Sequence, residues 1–224
     1  MKPHLYLSVM GTMGSGKTTV ARLLAQELKF QILEENFGEN AFLPRFYQDM
    51  KRWAFHSQTF FLMEKVNQMF EAARLLGFST PEVKEVRTSG VKQLTGVIQD
   101  TPIQQDAFSY AKALHVLGNM DDAEWRLYLK IYQSFEPYFP KPDLIVYLDT
   151  SVPTLADRIE KRGRGYEQKI PASYLELLDM LNHKWLGENK VIPVLTIQTD
   201  GLNIVRNKTA QQSLLDQVNQ TLKH

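Results

Sequence analysis

The chain has 224 residues, of which 43% are hydrophobic, so it can form the core of a single α/β domain spanning residues 1–224. Its 26 Lys and Arg residues nearly balance its 25 Asp and Glu residues, which excludes the basic excess of a protein that coats nucleic acid. Because the chain has no cysteine and no apolar run approaching about 18 residues, we expect no disulfide, no membrane span and no signal peptide, and a cytoplasmic location.

Short aliphatic and β-branched runs alternate with helical patterns along the chain, which predicts a five-stranded parallel sheet flanked by helices. A long helical insert separates the second strand from the third, and we expect it to form a substrate pocket. The predicted strands are Leu5–Met10, Phe30–Leu33, Gly96–Gln99, Leu144–Leu148 and Val194–Gln198. The predicted helices are Thr19–Leu28, Lys51–Leu76, one after Pro81, Asp121–Phe135, Val152–Arg162, Pro171–Gly187 and Lys208–Lys223.

The first strand runs into a glycine-rich segment that fits the phosphate-binding pattern G-x-x-x-x-G-K-[ST]. In this pattern the loop amides and the following helix N-terminus face the phosphates, Lys17 reaches the β and γ oxygens, and Thr18 offers its hydroxyl to Mg²⁺. The alternative is a glycine-rich turn with an idle lysine. The sequence thus predicts an ATP and Mg²⁺ site formed by Gly11, Thr12, Met13, Gly14, Ser15, Gly16, Lys17 and Thr18.

Acidic residues follow the second and third strands, at the edge where parallel sheets bind their ligands. We assign Glu35, rather than its neighbour Glu34, as the base that takes a proton from a hydroxyl acceptor. Asp100 is predicted to face Mg²⁺, and Asp106 begins the next helix. The alternatives are a solvated turn or cap for Glu35 and a helix cap for Asp100.

The long helix after the second strand carries two polar side chains, Gln58 and Lys65, on the same face. A nucleobase needs apolar walls and a few hydrogen-bonding groups, and an amide can both donate and accept. We therefore predict that Gln58 binds a base. The surrounding aromatic residues, Trp53, Phe55, Phe60 and Phe61, are more typical of an ordinary core.

Arg158, Arg162 and Arg164 surround the end of the predicted helix Val152–Arg162, near Gly163. Because guanidinium groups stabilise the charge on a transferring phosphoryl group, these residues predict a mobile catalytic lid over about residues 161–170. The alternative is that they are cations favoured at a helix C-terminus.

Together these segments resemble the deoxynucleoside kinase family from the phosphate loop to the last strand. The matching blocks are residues 35–47, residues 53–58 and residues 158–167. The resemblance implies a P-loop kinase fold with an arginine-rich lid, a homodimer and a deoxynucleoside substrate. It further implies that Glu35 is the catalytic base, that Tyr47 and Glu167 bind the sugar 3′-hydroxyl, that Trp53 lines the pocket and that Gln58 reads the base.

The chain departs from the family pattern at three positions. Asp100-Thr101-Pro102 stands where the family has an acidic-Arg-Ser motif, so the arginine beside the acceptor hydroxyl is absent. Lys65 stands where the family arginine pairs with the aspartate at 106, which keeps the charge and loses the bidentate geometry. Asn36 stands where many members have proline.

The leading hypothesis is ATP-dependent phosphorylation of the 5′-hydroxyl of a deoxynucleoside, with purines slightly favoured. A nucleoside monophosphate kinase of the thymidylate kinase type is a second hypothesis, because it shares the loop, the sheet and the lid. A nucleotide-binding protein with weakened catalysis is the third, because Thr101 replaces an arginine.

Overall fold

The computed structural model describes residues 4–35, 37–78, 96–164, 170–202, 204–205 and 207–223. Within them, five strands form a parallel sheet in the order β2-β3-β1-β4-β5, which confirms the predicted fold class. The observed strand ends agree with the predicted ones to within one residue. The strands are β1 Leu5–Gly11, β2 Gln31–Leu33, β3 Gly96–Asp100, β4 Leu144–Asp149 and β5 Val194–Gln198.

The predicted helices that lie in the described residues are observed with ends within two residues of those expected. The longest is α3, and its predicted companion after Pro81 lies outside the described residues. The helices are α1 Lys17–Leu28, α2 Leu43–Gln48, α3 Met50–Leu75, α4 Ile103–Gln105, α5 Lys112–Val116, α6 Asp122–Phe135, α7 Val152–Arg162, α8 Ala172–Glu188 and α9 Lys208–Thr221. A π-helical segment, Asp106–Ala111, joins α4 to α5.

The sheet is covered on both faces because successive side chains of a strand point to opposite sides. On one face Leu7 of β1 packs in a core with residues of α1 and α9. On the other face Tyr6 packs against α3 residues such as Leu62 and Val66. Among the described helices, none is both long enough and apolar enough to span a bilayer.

The parallel register brings the C-terminal ends of the central strands to one edge of the sheet. Val9 of β1 pairs with Asp100 of β3, and Gly11 of β1 pairs with Leu148 of β4. The phosphate loop leaves the sheet at this edge, between β1 and α1. The first turns of α3 lie over the same edge, because α2 and α3 pack together through an apolar cluster that includes Phe46.

Candidate active site

The loop between β1 and α1 has the backbone geometry that a phosphate-binding loop requires. Gly14 and Gly16 have φ angles of 87° and 97°, a left-handed conformation that side chains disfavour. A Cβ atom on Gly14 would lie 3.0 Å from the carbonyl oxygen of Leu155, so space is limiting there as well. Helix α1 begins at Lys17, and its first N–H groups lack intrahelical acceptors. The loop therefore offers a ready site for an anion.

The ammonium of Lys17 lies over the same loop. Its Nζ atom donates to the carbonyl oxygen of Gly11 at 2.8 Å, and Tyr110 Oη lies 3.5 Å away. Burial lowers the pKa of Lys17, while the nearby carboxylate of Asp100 acts in the opposite direction. A phosphate in the loop would replace weak carbonyl contacts with a charged partner for this ammonium.

A cleft of about 450 Å³ opens along the carboxyl edge of the sheet. It brings together most of the residues that the sequence predicted for the site. The predicted residues that line it are Met13, Gly14, Gly16, Lys17, Thr18, Glu35, Tyr47, Gln58, Asp100, Asp106, Arg158, Arg162 and Arg164. Of the other predicted residues, Gly11, Thr12, Ser15, Trp53 and Lys65 do not line it, and Glu167 lies outside the described residues.

The two adjacent glutamates after β2 have different surroundings. Glu34 accepts two hydrogen bonds from the exposed guanidinium of Arg22, at 2.7 and 2.6 Å, and this pairing lowers the pKa of Glu34. Glu35 instead lines the cleft with 11% of its side chain exposed, and it forms an ion pair with Lys65 at 2.8 Å. Glu35 is therefore the glutamate placed to meet a substrate.

Thr18 and Asp100 form an oxygen-rich pair beside the loop. The hydroxyl of Thr18 donates to Asp100 Oδ2 at 2.6 Å, and the buried Asp100 Oδ1 has no hydrogen-bond partner among the described residues. Asp100 is not a helix cap, because Pro102 occupies the N-cap position of α4 and no side chain caps it. Hard oxygen donors of this kind fit Mg²⁺.

Gln58 and Asp106 are buried polar groups that line the cleft, with 6% and 5% of their surfaces exposed. Leu43, Phe46 and Phe61 supply apolar walls. Asp106 Oδ2 has no hydrogen-bond partner within the described part of the chain. Burial, reinforced by the negative charge of Glu35, raises the pKa of Asp106 well above its usual value.

Trp53 is not among the residues that line the cleft, where the resemblance implied it would lie. Its ring is stacked on Phe42 at 5.9 Å between centroids. The guanidinium groups of Arg45 and Arg52 lie 5.0 and 5.4 Å from its centroid. Because cation–π and stacking contacts cover the ring, Trp53 fixes α2 against α3 and supports the wall indirectly.

Of the three predicted lid arginines, Arg158 is held by specific backbone contacts. It donates to the carbonyl oxygen of Ser15 at 3.2 Å and to the carbonyl oxygen of Thr199 at 2.5 Å, so it ties the phosphate loop to the end of β5. Arg162 and Arg164 also line the cleft. Residues 165–169 of the predicted lid lie outside the described residues.

Buried amide side chains form a hydrogen-bond network with the loop. No motif in the sequence predicted this network. Gln105 Nε2 donates to the carbonyl oxygen of Gly11 at 2.7 Å and to Asn182 Oδ1 at 3.2 Å. Asn182, which is fully buried, donates to Thr12 Oγ1 at 3.0 Å and accepts a hydrogen bond from Ser109. The network joins α4 and α8 to the loop, so it holds the loop backbone in place.

Replacement of Asn182 by leucine should destabilise the protein by about 1–3 kcal/mol, because buried partners lose their hydrogen bonds. It should also weaken ATP binding, because the loop loses its support. Chemical denaturation and titration calorimetry measure the two effects, with the exposed Asn219→Leu on α9 as the control. Reduced stability with unchanged ATP affinity would contradict a loop-positioning role.

Comparison with known protein families shows to which family the chain belongs. A family model described as deoxynucleoside kinase matches residues 7–223. The chain belongs to the deoxynucleoside kinase family. It is therefore an enzyme that phosphorylates a deoxynucleoside, and the alternative of a nucleoside monophosphate kinase has no support from these comparisons.

Individual relatives of this family member cover nearly its whole length. It is 29% identical over 214 residues to a deoxyadenosine/deoxycytidine kinase of Bacillus subtilis, covering 95% of this chain and 90% of the relative. It is 30% identical over 208 residues to a deoxyguanosine kinase of the same organism, covering 91% of each chain. A solved structure of deoxyadenosine kinase from M. mycoides with bound dCTP has the same fold, with a TM-score of 0.78 at 22% identity, covering 96% of this chain and 100% of the other.

In this deoxynucleoside kinase family member, the buried Lys65 forms an ion pair with a different residue from the one that the family pattern implies. The resemblance implied a pair between Lys65 and Asp106, but the Lys65 ammonium contacts Glu35 at 2.8 Å instead. It also donates to the carbonyl oxygen of Asp100 at 2.7 Å. The shorter, single-headed ammonium forms these contacts on the Glu35 side, while the Asp106 carboxylate keeps an oxygen without a hydrogen bond among the described residues.

The raised pKa of Asp106 gives a pH-dependent prediction. A carboxyl group with a raised folded-state pKa stabilises the fold below its unfolded pKa, and this stability is lost as pH rises through the folded pKa. Asp106→Asn should therefore have a higher Tm than the wild type at alkaline pH, because the amide carries no buried charge. At acidic pH the two should differ little. Thermal unfolding at pH 5 and pH 9 measures this difference, and a pH-independent difference would contradict the prediction.

Proposed function

We propose that the chain transfers the γ-phosphoryl group of ATP to the 5′-hydroxyl of a deoxynucleoside, with Mg²⁺ bound at Thr18 and Asp100. The observation that carries this proposal is the combination of groups in a single cleft. Lys17 and the loop line the cleft together with Gln58 and Asp106, and Glu35 lies close enough to both Lys17 and Asp106 to act on their charges.

In the proposed reaction Glu35 accepts the proton of the 5′-hydroxyl as the oxygen attacks the γ-phosphorus in line with the departing ADP. The bond between the γ-phosphorus and the bridging oxygen breaks, and ADP carries away the negative charge. Lys17 and the lid arginines Arg158, Arg162 and Arg164 neutralise the charge on the transferring group. Thr18 and Asp100 would hold Mg²⁺, which would supply further neutralisation of the phosphate charge. Catalysis is thus mainly a matter of positioning and electrostatics.

The slight preference for purines is part of the proposal. An amide such as Gln58 can both donate to and accept from the edge of adenine. A carboxyl group such as Asp106 can accept from the N–H groups of guanine. The names of the relatives, which include deoxyadenosine and deoxyguanosine kinases, support this choice. Tyr47 lines the same cleft and is proposed, with Glu167, to bind the sugar 3′-hydroxyl.

We also propose that the chain forms a homodimer. The support is two partly exposed apolar side chains on helices that pack together, Met63 on α3 and Leu127 on α6, which are 38% and 48% exposed. Exposed apolar side chains on neighbouring helices favour association with a second copy.

One assay tests the reaction and its substrate. All common deoxynucleosides, ribonucleosides and nucleoside monophosphates are incubated with ATP and Mg²⁺, and the products are separated by chromatography. Formation of deoxynucleoside monophosphates, with deoxyadenosine or deoxyguanosine preferred, supports the proposal. Conversion of an added nucleoside monophosphate to its diphosphate would indicate a monophosphate kinase. Tight nucleoside binding with negligible turnover would indicate a nucleotide-binding protein with weakened catalysis.

A further inference from the structure

We infer that Lys65 is a positioning residue that holds the carboxylate of Glu35 for proton transfer, in a site where residue 101 carries no charge. This inference rests on the proposed function and refines it. Lys65 does not line the cleft, so its part in the reaction is exerted through Glu35 and not through contact with the nucleoside.

Lys65 is a buried charged residue, and its ammonium contacts acceptors at and near the catalytic base Glu35. Only 1% of the Lys65 side chain is exposed, and a lysine is seldom buried to this degree unless it is paired. Its ammonium contacts Glu35 Oε1 at 2.8 Å, the carbonyl oxygen of Asp100 at 2.7 Å and Gln68 Oε1 at 3.4 Å. These three acceptors match the three donors of an ammonium group.

A series of hydrogen bonds between polar side chains connects Lys65 to the backbone next to Glu35. Gln68 accepts from Lys65 and donates from Nε2 to the carbonyl oxygen of Glu34 at 2.8 Å. Gln99 Nε2 donates to Gln68 Oε1 at 3.2 Å, and Tyr6 in the core donates to Gln99 Oε1. Both the carboxylate of Glu35 and the peptide before it are therefore tied to α3 and the sheet.

Residue 101 is an uncharged threonine in the same cleft as the catalytic base. Thr101 lines the cleft, is 1% exposed and has a φ angle of 68°, which is unusual for a β-branched residue. Its backbone N–H donates to the carbonyl oxygen of Val9 at 3.0 Å, while its hydroxyl has no hydrogen-bond partner among the described residues. A threonine cannot supply a cation to Glu35, whereas Lys65 does so from the α3 side.

The consequence for the reaction is specific. Because Lys65 holds Glu35 Oε1, the proton of the acceptor hydroxyl goes to Oε2. A base held by one oxygen loses less orientational freedom when the substrate binds, which favours a reactive geometry. Removal of the ammonium would leave the Glu35 carboxylate without the contact that orients it.

The test compares Lys65→Met, Lys65→Gln and Lys65→Arg with the exposed control Lys51→Met on the same helix. In the uncharged variants kcat for the best nucleoside should fall about 10²-fold, the cost of misplacing a reacting group, while KM for ATP changes little. Lys65→Arg should retain more activity than either uncharged variant, and thermal unfolding should show that each variant is folded.

A second set of variants separates positioning from a merely structural role. Thr101→Arg in the Lys65→Met background should raise kcat about tenfold, because a charge-assisted hydrogen bond becomes available to Glu35 again. Unchanged kcat in both uncharged variants would overturn the inference. So would a loss of kcat that is as large in Lys65→Arg as in the uncharged variants and that Thr101→Arg does not reverse. A wild type that phosphorylates no nucleoside would contradict the proposed function itself.

Discussion

Replacement of Glu35 by glutamine is expected to lower kcat by about 10²–10⁴-fold, the range of general-base catalysis. Glutamine has nearly the same shape and keeps an oxygen for Lys65, which lies 2.8 Å from the carboxylate. It cannot take the proton of the 5′-hydroxyl. The dissociation constant for the nucleoside should therefore change little, since the walls of the cleft and its base-binding groups are unaltered. Steady-state kinetics and titration calorimetry measure the two quantities.

The neighbouring glutamate provides a matched control for this variant. Glu34 is paired with the exposed Arg22 and is adjacent to Glu35 in the chain. Glu34→Gln should change kcat by about twofold or less, as expected of a surface substitution. If Glu35→Gln retained wild-type turnover, or if Glu34→Gln were equally inactive, the assignment of Glu35 as the base would be wrong.

Replacement of Lys17 by methionine should lower kcat/KM for ATP by at least about 10²-fold, because one preorganised charge is removed from the transferring phosphoryl group. The Lys17 ammonium also neutralises part of the negative charge of the nearby Asp100 and Glu35 carboxylates. The affinity for the nucleoside should be less affected, because Lys17 lies at the phosphate end of the cleft. Isothermal titration with ATP and with nucleoside separates these effects.

The exposed Lys130→Met on α6 is the control for the loss of a lysine charge. It should leave kcat/KM within about twofold of the wild type. Methionine at 17 retains the length and apolar character of the lysine stem, so the fold should be preserved. An active Lys17→Met variant would contradict the assignment of this loop to the triphosphate.

The strands and most helices could be predicted because local patterns determine them. Leu144–Leu148 is a short apolar run of the kind that is buried between two helical layers, and the structure gives Leu144–Asp149. Gly163 ends α7 in a left-handed conformation, as a glycine after a helix predicts. The π-helical segment Asp106–Ala111 was not foreseen, because it depends on how α4 and α5 pack on their neighbours.

The site could be predicted where a residue is adjacent in sequence to a strand end. Glu35 and Asp100 reach the cleft in this way, since the C-terminal ends of parallel strands share one edge. Other residues reach it from helices distant in sequence, and no local signal marked them. Tyr110 and Tyr174 line the cleft from such positions, and Asn182 supports the loop from behind it.

The sequence by itself determined the phosphate loop, the parallel sheet and the family, because these depend on residue type at short, fixed spacing. Only the tertiary structure decided that Lys65 pairs with Glu35, that Trp53 packs against Arg45 and that Gln105 and Asn182 hold the loop. The physical reason is that these contacts join segments far apart in the chain. Which partner a buried charge or amide finds depends on the packing of whole helices, and not on its sequence neighbours.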